Sequence, residues 1–129
     1  MKFKLVLLLF AVASIDLFSA DINEDVANSL KVGNSKELSK YFGATVELKI
    51  NEQEEIYSRA QAEQIIKEFF LKNIIKSFSY SHASAVKNES SYAIGTLTTA
   101  KGNFRIYILF KKSGTTFVIQ QLRIESGNE

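Results

Sequence analysis

The stretch "YAIGTLTTAKGNFRIYILFKK", residues 92–112, consists of two strand-like runs separated by a turn signal at Lys101-Gly102. A two-residue turn at that point sets small and apolar side chains opposite one another on one face of a hairpin. The predicted pairs are Leu97 with Ile106, Gly95 with Ile108, and Ala93 with Phe110. We therefore predict that this side of the sheet, the covered face, packs against the rest of the protein, and we call the other side the reverse face.

Three further runs extend this hairpin into a larger sheet. Strand-like segments precede and follow it, with turn signals at Lys87-Asn88 and Ser113-Gly114. The predicted strands are "SFSYSHASAV" (77–86), "SYAIGTLTT" (91–99), "NFRIYILFKK" (103–112) and "TFVIQQLRIE" (116–125). Turns this short join neighbouring antiparallel strands, so the four runs predict a meander.

The first half of the chain carries the helical signals. Asp21, Asn34 and Ser58 are candidate N-caps, each followed three residues later by Glu or Gln. The predicted helices cover 21–33, 34–43 and 58–73, and a strand pair lies between the second and third, at 44–50 and 54–58. The long third helix has a broad apolar face made of Ala62, Ile65, Ile66, Phe69, Phe70 and Ile74. Helices first and strands last predict an α+β fold, with the long helix packed on a curved antiparallel sheet.

Residues 1–20 have the order of a secretory signal peptide. Lys2 and Lys4 come first, an apolar run follows from Leu5 to Ala13, and small residues end the segment. We expect cleavage after Ala20, with Ser14 as the alternative, and a single domain at 21–129 in the periplasm or outside the cell. The chain has no cysteine, which excludes disulfides and a thioether-linked lipid anchor.

The charge of the exported part is nearly balanced. Of the 16 basic and 14 acidic residues in the whole chain, residues 21–129 keep 14 and 13. A net charge of +1 gives no reason to expect nucleic acid or an anionic membrane as a partner.

His82 is the only histidine, so its position matters for function. If the hairpin closes around Asn88-Glu89, His82 lies opposite Gly95 and Tyr80 lies opposite Leu97, both on the covered face. Tyr80, His82 and Gly95 then form a candidate pocket wall, and a register slip of one residue would reverse this placement. His82 can be a core residue, a ligand contact or a general base. Without cysteine or a second histidine, a zinc site is not expected.

The reverse face is unusually apolar for a solvated sheet surface. Tyr92, Ile94, Tyr107 and Leu109 share it, which predicts a homodimer formed through the sheet. A bulge near Gln120-Gln121 would bring the apolar residues of the last strand to the covered face and place Arg123 beside Arg105 on the reverse face. Such an arginine pair needs an anion, a carboxylate or water.

This order of elements resembles the nuclear transport factor 2-like fold, a cone shared with ketosteroid isomerase and scytalone dehydratase and described as cystatin-like. The segments "DINEDVANSLKVGNSKELSKYFGATVEL", "YSRAQAEQIIKEFF", "YAIGTLTTAKGNFRIYILFKK" and "IQQLRIE" resemble, more closely, a family of small exported Bacteroidetes proteins that carry a domain of unknown function. The enzymes of the superfamily imply carboxylic acids, a tyrosine or a His–Asp pair inside the cone. Here the predicted covered face offers Tyr80 and His82 but no carboxylate.

The sequence therefore predicts an exported domain that acts as a non-catalytic ligand-binding or interaction module, without a cofactor or a metal. A small apolar ligand in the cone and a homodimer through the sheet are the expected partners. One alternative is a small enzyme that acts on an apolar ligand with His82 as general base. A second alternative is a structural protein that dimerises.

Overall fold

The computed structural model describes residues 22–86 and 89–127, and these form three helices and six strands. The helices are α1 (Ile22–Val32), α2 (Ser35–Ser39) and α3 (Arg59–Lys72). The strands are β1 (Phe42–Ile50), β2 (Gln53–Ser58), β3 (Ile75–Ala83), β4 (Ser90–Thr99), β5 (Gly102–Ser113) and β6 (Thr116–Ser126). The α+β class is confirmed. No helix in the described part of the chain is long and apolar enough to cross a membrane.

All six strands belong to one sheet, in the order β2-β1-β6-β5-β4-β3. The predicted meander from β3 to β6 is confirmed, since each of these strands is antiparallel to the next. β1 joins the far side of the meander by pairing with β6 in parallel and with β2 in the antiparallel sense. The helices pack on the covered face, where α1 contacts β3 and α3 contacts β1.

The core lies between the covered face and the helices, a space we call the cone. Ala93, Leu97, Ile106, Ile108 and Phe110 are completely buried, which confirms the predicted assignment of the two faces. They meet Val26, Leu30, Leu38, Ala62, Ile66, Phe69 and Phe70 from the helices.

The β4–β5 register differs from the predicted one by two residues. Thr99 pairs with Gly102, so the turn residues are Ala100 and Lys101, and Gly95 lies opposite Ile106. Thr99 closes the turn, because its Oγ1 accepts a hydrogen bond from the Lys101 amide (3.0 Å) and donates one to the Gly102 carbonyl (2.8 Å). A shift of two residues leaves every side chain on its predicted face, because the period of a strand is two.

The helix starts follow the predicted caps where the structure describes them. The Asn34 side chain accepts a hydrogen bond from the Glu37 amide at 3.0 Å, and Ser58 with Gln61 forms a complete capping box. Asp21, the cap predicted for α1, lies outside the described residues.

Two helix ends were predicted too far along the chain. The second helix stops at Ser39 rather than at Gly43, because Phe42 already belongs to β1 and pairs with Ile119. α3 stops at Lys72, so Ile74 lies beyond the helix and is 60% exposed instead of packing on its apolar face.

The bulge predicted in β6 is confirmed. Leu109 pairs with Gln121 and Phe110 pairs with Ile119, which leaves Gln120 as the extra residue. As a result Ile119, Leu122 and Ile124 are all fully buried despite their different parity.

Candidate functional site

At the predicted pocket wall, the space in front of Gly95 is filled by other residues of the protein. Tyr80 pairs with Gly95, and Phe78 pairs with Leu97. A Cβ atom at Gly95 would lie 2.6 Å from Phe78 Cζ and 2.6 Å from the Ser79 carbonyl oxygen. Gly95 therefore makes room for the Phe78 ring and the β3 backbone, and not for an imidazole or a ligand.

Tyr80 is fixed by contacts on the covered face, as predicted. Its ring packs edge-on against Phe78, with centroids 4.9 Å apart and an interplanar angle of 84°. Its hydroxyl donates a hydrogen bond to the Asn23 carbonyl oxygen at 2.7 Å. The hydroxyl thus ties β3 to the first turn of α1.

His82 is not on the covered face, so that prediction is wrong. Tyr80 pairs with Gly95, but His82 pairs with Ile94, because Ser81 is an extra residue on β3. This bulge turns the following side chain over, and His82 lies exposed on the reverse face. In the described part of the chain, no carboxylate forms an ion pair with its ring.

On the reverse face, His82 begins a row of stacked side chains that crosses four strands. The His82 and Tyr92 rings stack with centroids 5.1 Å apart and an interplanar angle of 29°. Tyr92 and Tyr107 stack at 5.7 Å and 8°, and Arg123 Cζ lies 5.9 Å from the centre of the Tyr107 ring. We call His82, Tyr92, Tyr107 and Arg123 the aromatic row.

The residues predicted to form an interface all lie on this reverse face. Tyr92 (41% exposed) and Arg105 are open to solvent, whereas Ile94, Tyr107, Leu109 and Arg123 are half-buried by their neighbours. The structure thus brings together the apolar residues and the arginines that the sequence placed on one side of the sheet.

Arg105 and Arg123 have a carboxylate neighbour in Glu125. The sequence left three possible partners open for this arginine pair: an anion, a carboxylate or water. Glu125 pairs directly across from Arg105, and its Oε2 lies 3.8 Å from Arg123 Nε. Lys49 Nζ donates a hydrogen bond to the same oxygen at 2.9 Å. This hydrogen bond, together with the charges of Lys49, Arg123 and Arg105, lowers the pKa of Glu125 although burial acts against it.

A pair of carboxyl groups borders this cluster on the next strands. The side-chain hydrogen bond with Glu54 raises the pKa of Glu47, and burial and the Glu54 charge act in the same direction. Gln121 and Arg123 act against that rise in pKa. Among the described residues, no group of three or more metal-ligating side chains is present.

Two of the cavities formed by the described residues lie on the helical side of the molecule, and neither of these two is lined by Tyr80, His82 or Gly95. The larger is a groove of about 840 Å³ between the α1–α2 turn and the C-terminal half of α3. Its lining, which defines the helical groove, is Val32, Gly33, Asn34, Ser35, Lys36, Glu63, Lys67, Phe70, Leu71, Ile74 and Ile75. The smaller, about 360 Å³, lies between α1 and α2. The sequence did not predict the helical groove, because its two walls meet only after α2 packs on α3.

Comparison with known proteins shows close relatives for most of the chain. The profile of the family described as "Domain of unknown function (DUF4783)" matches residues 23–125. The crystal structure of a DUF4783 family protein from Bacteroides ovatus ATCC 8483 is similar, with 38% sequence identity and a TM-score of 0.79. The match covers 84% of this chain and 98% of that one. A search of curated proteins found no match to this chain.

Two more distant structures share the fold. An NTF-2 like protein of unknown function from Shewanella oneidensis MR-1 has 12% identity and a TM-score of 0.63, over 84% of this chain and 98% of that one. A domain of unknown function with a cystatin-like fold from Nostoc punctiforme has 8% identity and a TM-score of 0.68, over 90% and 81%. These similarities confirm the nuclear transport factor 2-like, cystatin-like architecture.

Proposed function

Because the chain belongs to the DUF4783 family, a domain of unknown function, we propose a function from its geometry: an exported, non-catalytic interaction module that pairs with a second copy through the reverse face. The observation that carries this proposal is the aromatic row. Its rings stack at 5.1 and 5.7 Å on a sheet face that none of the three described helices covers, with Ile94 and Leu109 beside them. Aromatic side chains that are already ordered bury a large area at low conformational cost, as interface residues do.

A two-fold axis through the reverse face suits this surface. Packed sheets lie about 10 Å apart, and four strands at about 4.8 Å spacing give a patch wide enough for a small interface. The row begins at His82 and ends at the cation of Arg123. In an antiparallel arrangement of two copies, His82 of one copy therefore lies near Arg123 of the other.

Association is tested by sedimentation velocity with Leu109→Lys. We expect the wild-type chain to sediment as a dimer and the variant as a monomer, because a charge on the reverse face would be buried without a partner. Tyr92→Lys is the second variant in case Leu109→Lys fails to fold, since Tyr92 is already exposed. Gln64→Lys, at an exposed position of α3, is the matched control and should leave the dimer intact. A monomeric wild type, or a Leu109→Lys dimer, would reject the proposal.

The enzyme alternative required His82 to act as a general base inside the cone. His82 lies on the reverse face rather than in the cone, and the space beside Tyr80 and Gly95 is filled by Phe78. A small apolar ligand in the cone has no support from these positions either. These two positions support the non-catalytic part of the proposal, and the aromatic row supports the pairing of two copies.

Export is the second part of the proposal, and it rests on the order of charges and apolar residues in residues 1–20, which lie outside the described residues. N-terminal sequencing of the protein from the extracytoplasmic fraction of its host should begin at Asp21. Recovery of the chain with Met1 intact in the cytoplasm would contradict export without affecting the dimer.

A further inference from the structure

Three of the largest exposed aliphatic side chains in the described part of the protein collect in the helical groove. Val32, Leu71 and Ile74 are 74%, 69% and 60% exposed. They line the same cavity, above a floor made by Phe70 and Ile75. Single exposed aliphatic residues are ordinary on a protein surface, but a contiguous set in a groove marks a binding site.

The groove is polar at one end and apolar at the other. Glu63, Lys67 and Leu71 follow one another along one side of α3 at helical intervals, and Ile74 lies just beyond the end of the helix. Lys36 adds a second cation from the α2 wall. Glu63 Oε1 accepts a hydrogen bond from Ser39 Oγ at 3.4 Å, and neither Lys36 nor Lys67 forms an ion pair among the described residues.

We propose that the helical groove binds a free, single-chain anionic amphiphile, such as a medium-chain carboxylate. The head group lies between Lys36 and Lys67, and the hydrocarbon chain runs over Phe70 towards Leu71, Ile74 and Val32. This site lies on the helical side of the molecule and does not depend on the reverse face.

The length of the groove suits a medium-chain ligand. At a rise of about 1.5 Å per residue, α3 spans about 7.5 Å from Lys67 to its end at Lys72, and the non-helical step to Ile74 lengthens the groove to about the extended length of a chain of eight to ten carbons. The α1–α2 turn forms one wall and α3 the other, so the hydrocarbon chain lies between them, along α3. A volume of about 840 Å³ is within the range of small-molecule sites.

The first experiment is an NMR titration of the full-length exported chain with hexanoate, octanoate, decanoate and dodecanoate, each below its micelle concentration. We expect amide shifts at residues 32–36 and 67–75. Each added methylene should strengthen binding by about two- to fourfold until the chain passes the end of the groove. Beyond about ten carbons the affinity should stay level.

Charge and apolar contacts are then tested separately. Lys36→Gln with Lys67→Gln should weaken decanoate binding about tenfold and leave decanol binding within about twofold, because only decanoate has a charged head group. Leu71→Ser with Ile74→Ser should weaken both ligands. Lys111→Gln with Lys112→Gln removes the same charge from the exposed end of β5 and is the matched control.

Several results would overturn the proposal. They are the absence of saturable shifts, shifts centred on Tyr80 and Gly95, equal losses for decanoate and decanol in the lysine variant, or an equal loss in the control. A membrane surface is the other source of such head groups, and it is tested by flotation with vesicles of anionic phospholipid. Binding to vesicles without binding to decanoate would also overturn it.

Discussion

At the scale of single residues, Gly95 shows how a missing side chain positions a core aromatic ring. A Cβ atom there would meet Phe78 Cζ and the Ser79 carbonyl oxygen, both at 2.6 Å. We expect Gly95→Ala to lower the free energy of unfolding by about 1–3 kcal/mol, as overpacking of a core does, measured by urea denaturation. Adding Phe78→Leu should restore only part of this loss, because the Ser79 contact is with the backbone. Gly127→Ala, whose nearest contact would be 3.5 Å, is the control and should change little.

Glu125 makes a residue-scale prediction about pH. Its pKa is lowered, first by the Lys49 hydrogen bond, so its contribution to stability is present above the ordinary value of 4.5 and is lost as the pH falls through the lower folded value. The side chain is 39% exposed, so the contribution is that of a surface pair, about 0.2–1 kcal/mol. Glu125→Gln should therefore be less stable than wild type at pH 7 and equal to it at pH 2. An unchanged difference across that range would show that the ion pair does not contribute. Glu52→Gln, at the exposed β1–β2 turn, serves as the control.

At the scale of elements, the bulges at Gln120 in β6 and Ser81 in β3 explain why one strand was predicted correctly and the other was not. In β6 the apolar residues change parity between Ile119 and Leu122, so a buried face required an extra residue at Gln120. In β3 the bulge at Ser81 lies within "SYSHASA", where small residues occupy both parities and carry no such signal. The face of His82 therefore could not be determined from hydrophobic pattern.

The β6 bulge also gives a prediction at this scale. Deleting Gln120 would remove the extra residue and leave Ile119, Leu122 and Ile124, all fully buried, at alternate positions of a regular strand, so all three can stay on the covered face. We expect the deletion variant to keep a cooperative thermal unfolding transition. Gln120→Ala keeps the extra residue at an exposed position and should unfold within a few degrees of wild type. A deletion variant without a cooperative transition would show that the pairing of β6 depends on the bulge itself.

At the scale of the whole molecule, the order of elements was sufficient to predict the fold, but not the surfaces that different elements build together. The meander, the strand pair and the covered face follow from alternation and turn signals. The parallel pairing of β1 with β6 and the helical groove require tertiary packing between distant segments, such as α2 on α3. Val32, Leu71 and Ile74 therefore looked like ordinary apolar positions in the sequence, although they are exposed in the folded protein.

The two proposed surfaces lie on opposite sides of the sheet, which leads to a prediction about their coupling. The reverse face and the helical groove share no residue, and the buried core lies between them. Sites that share no partners act additively, so the coupling free energy should be close to zero. We expect saturating decanoate to leave the dimer dissociation constant unchanged in sedimentation equilibrium, and Leu109→Lys to leave decanoate affinity within about twofold. A larger shift in both quantities by the same factor would instead mean that the sheet transmits a change between its two faces, since thermodynamic linkage is reciprocal.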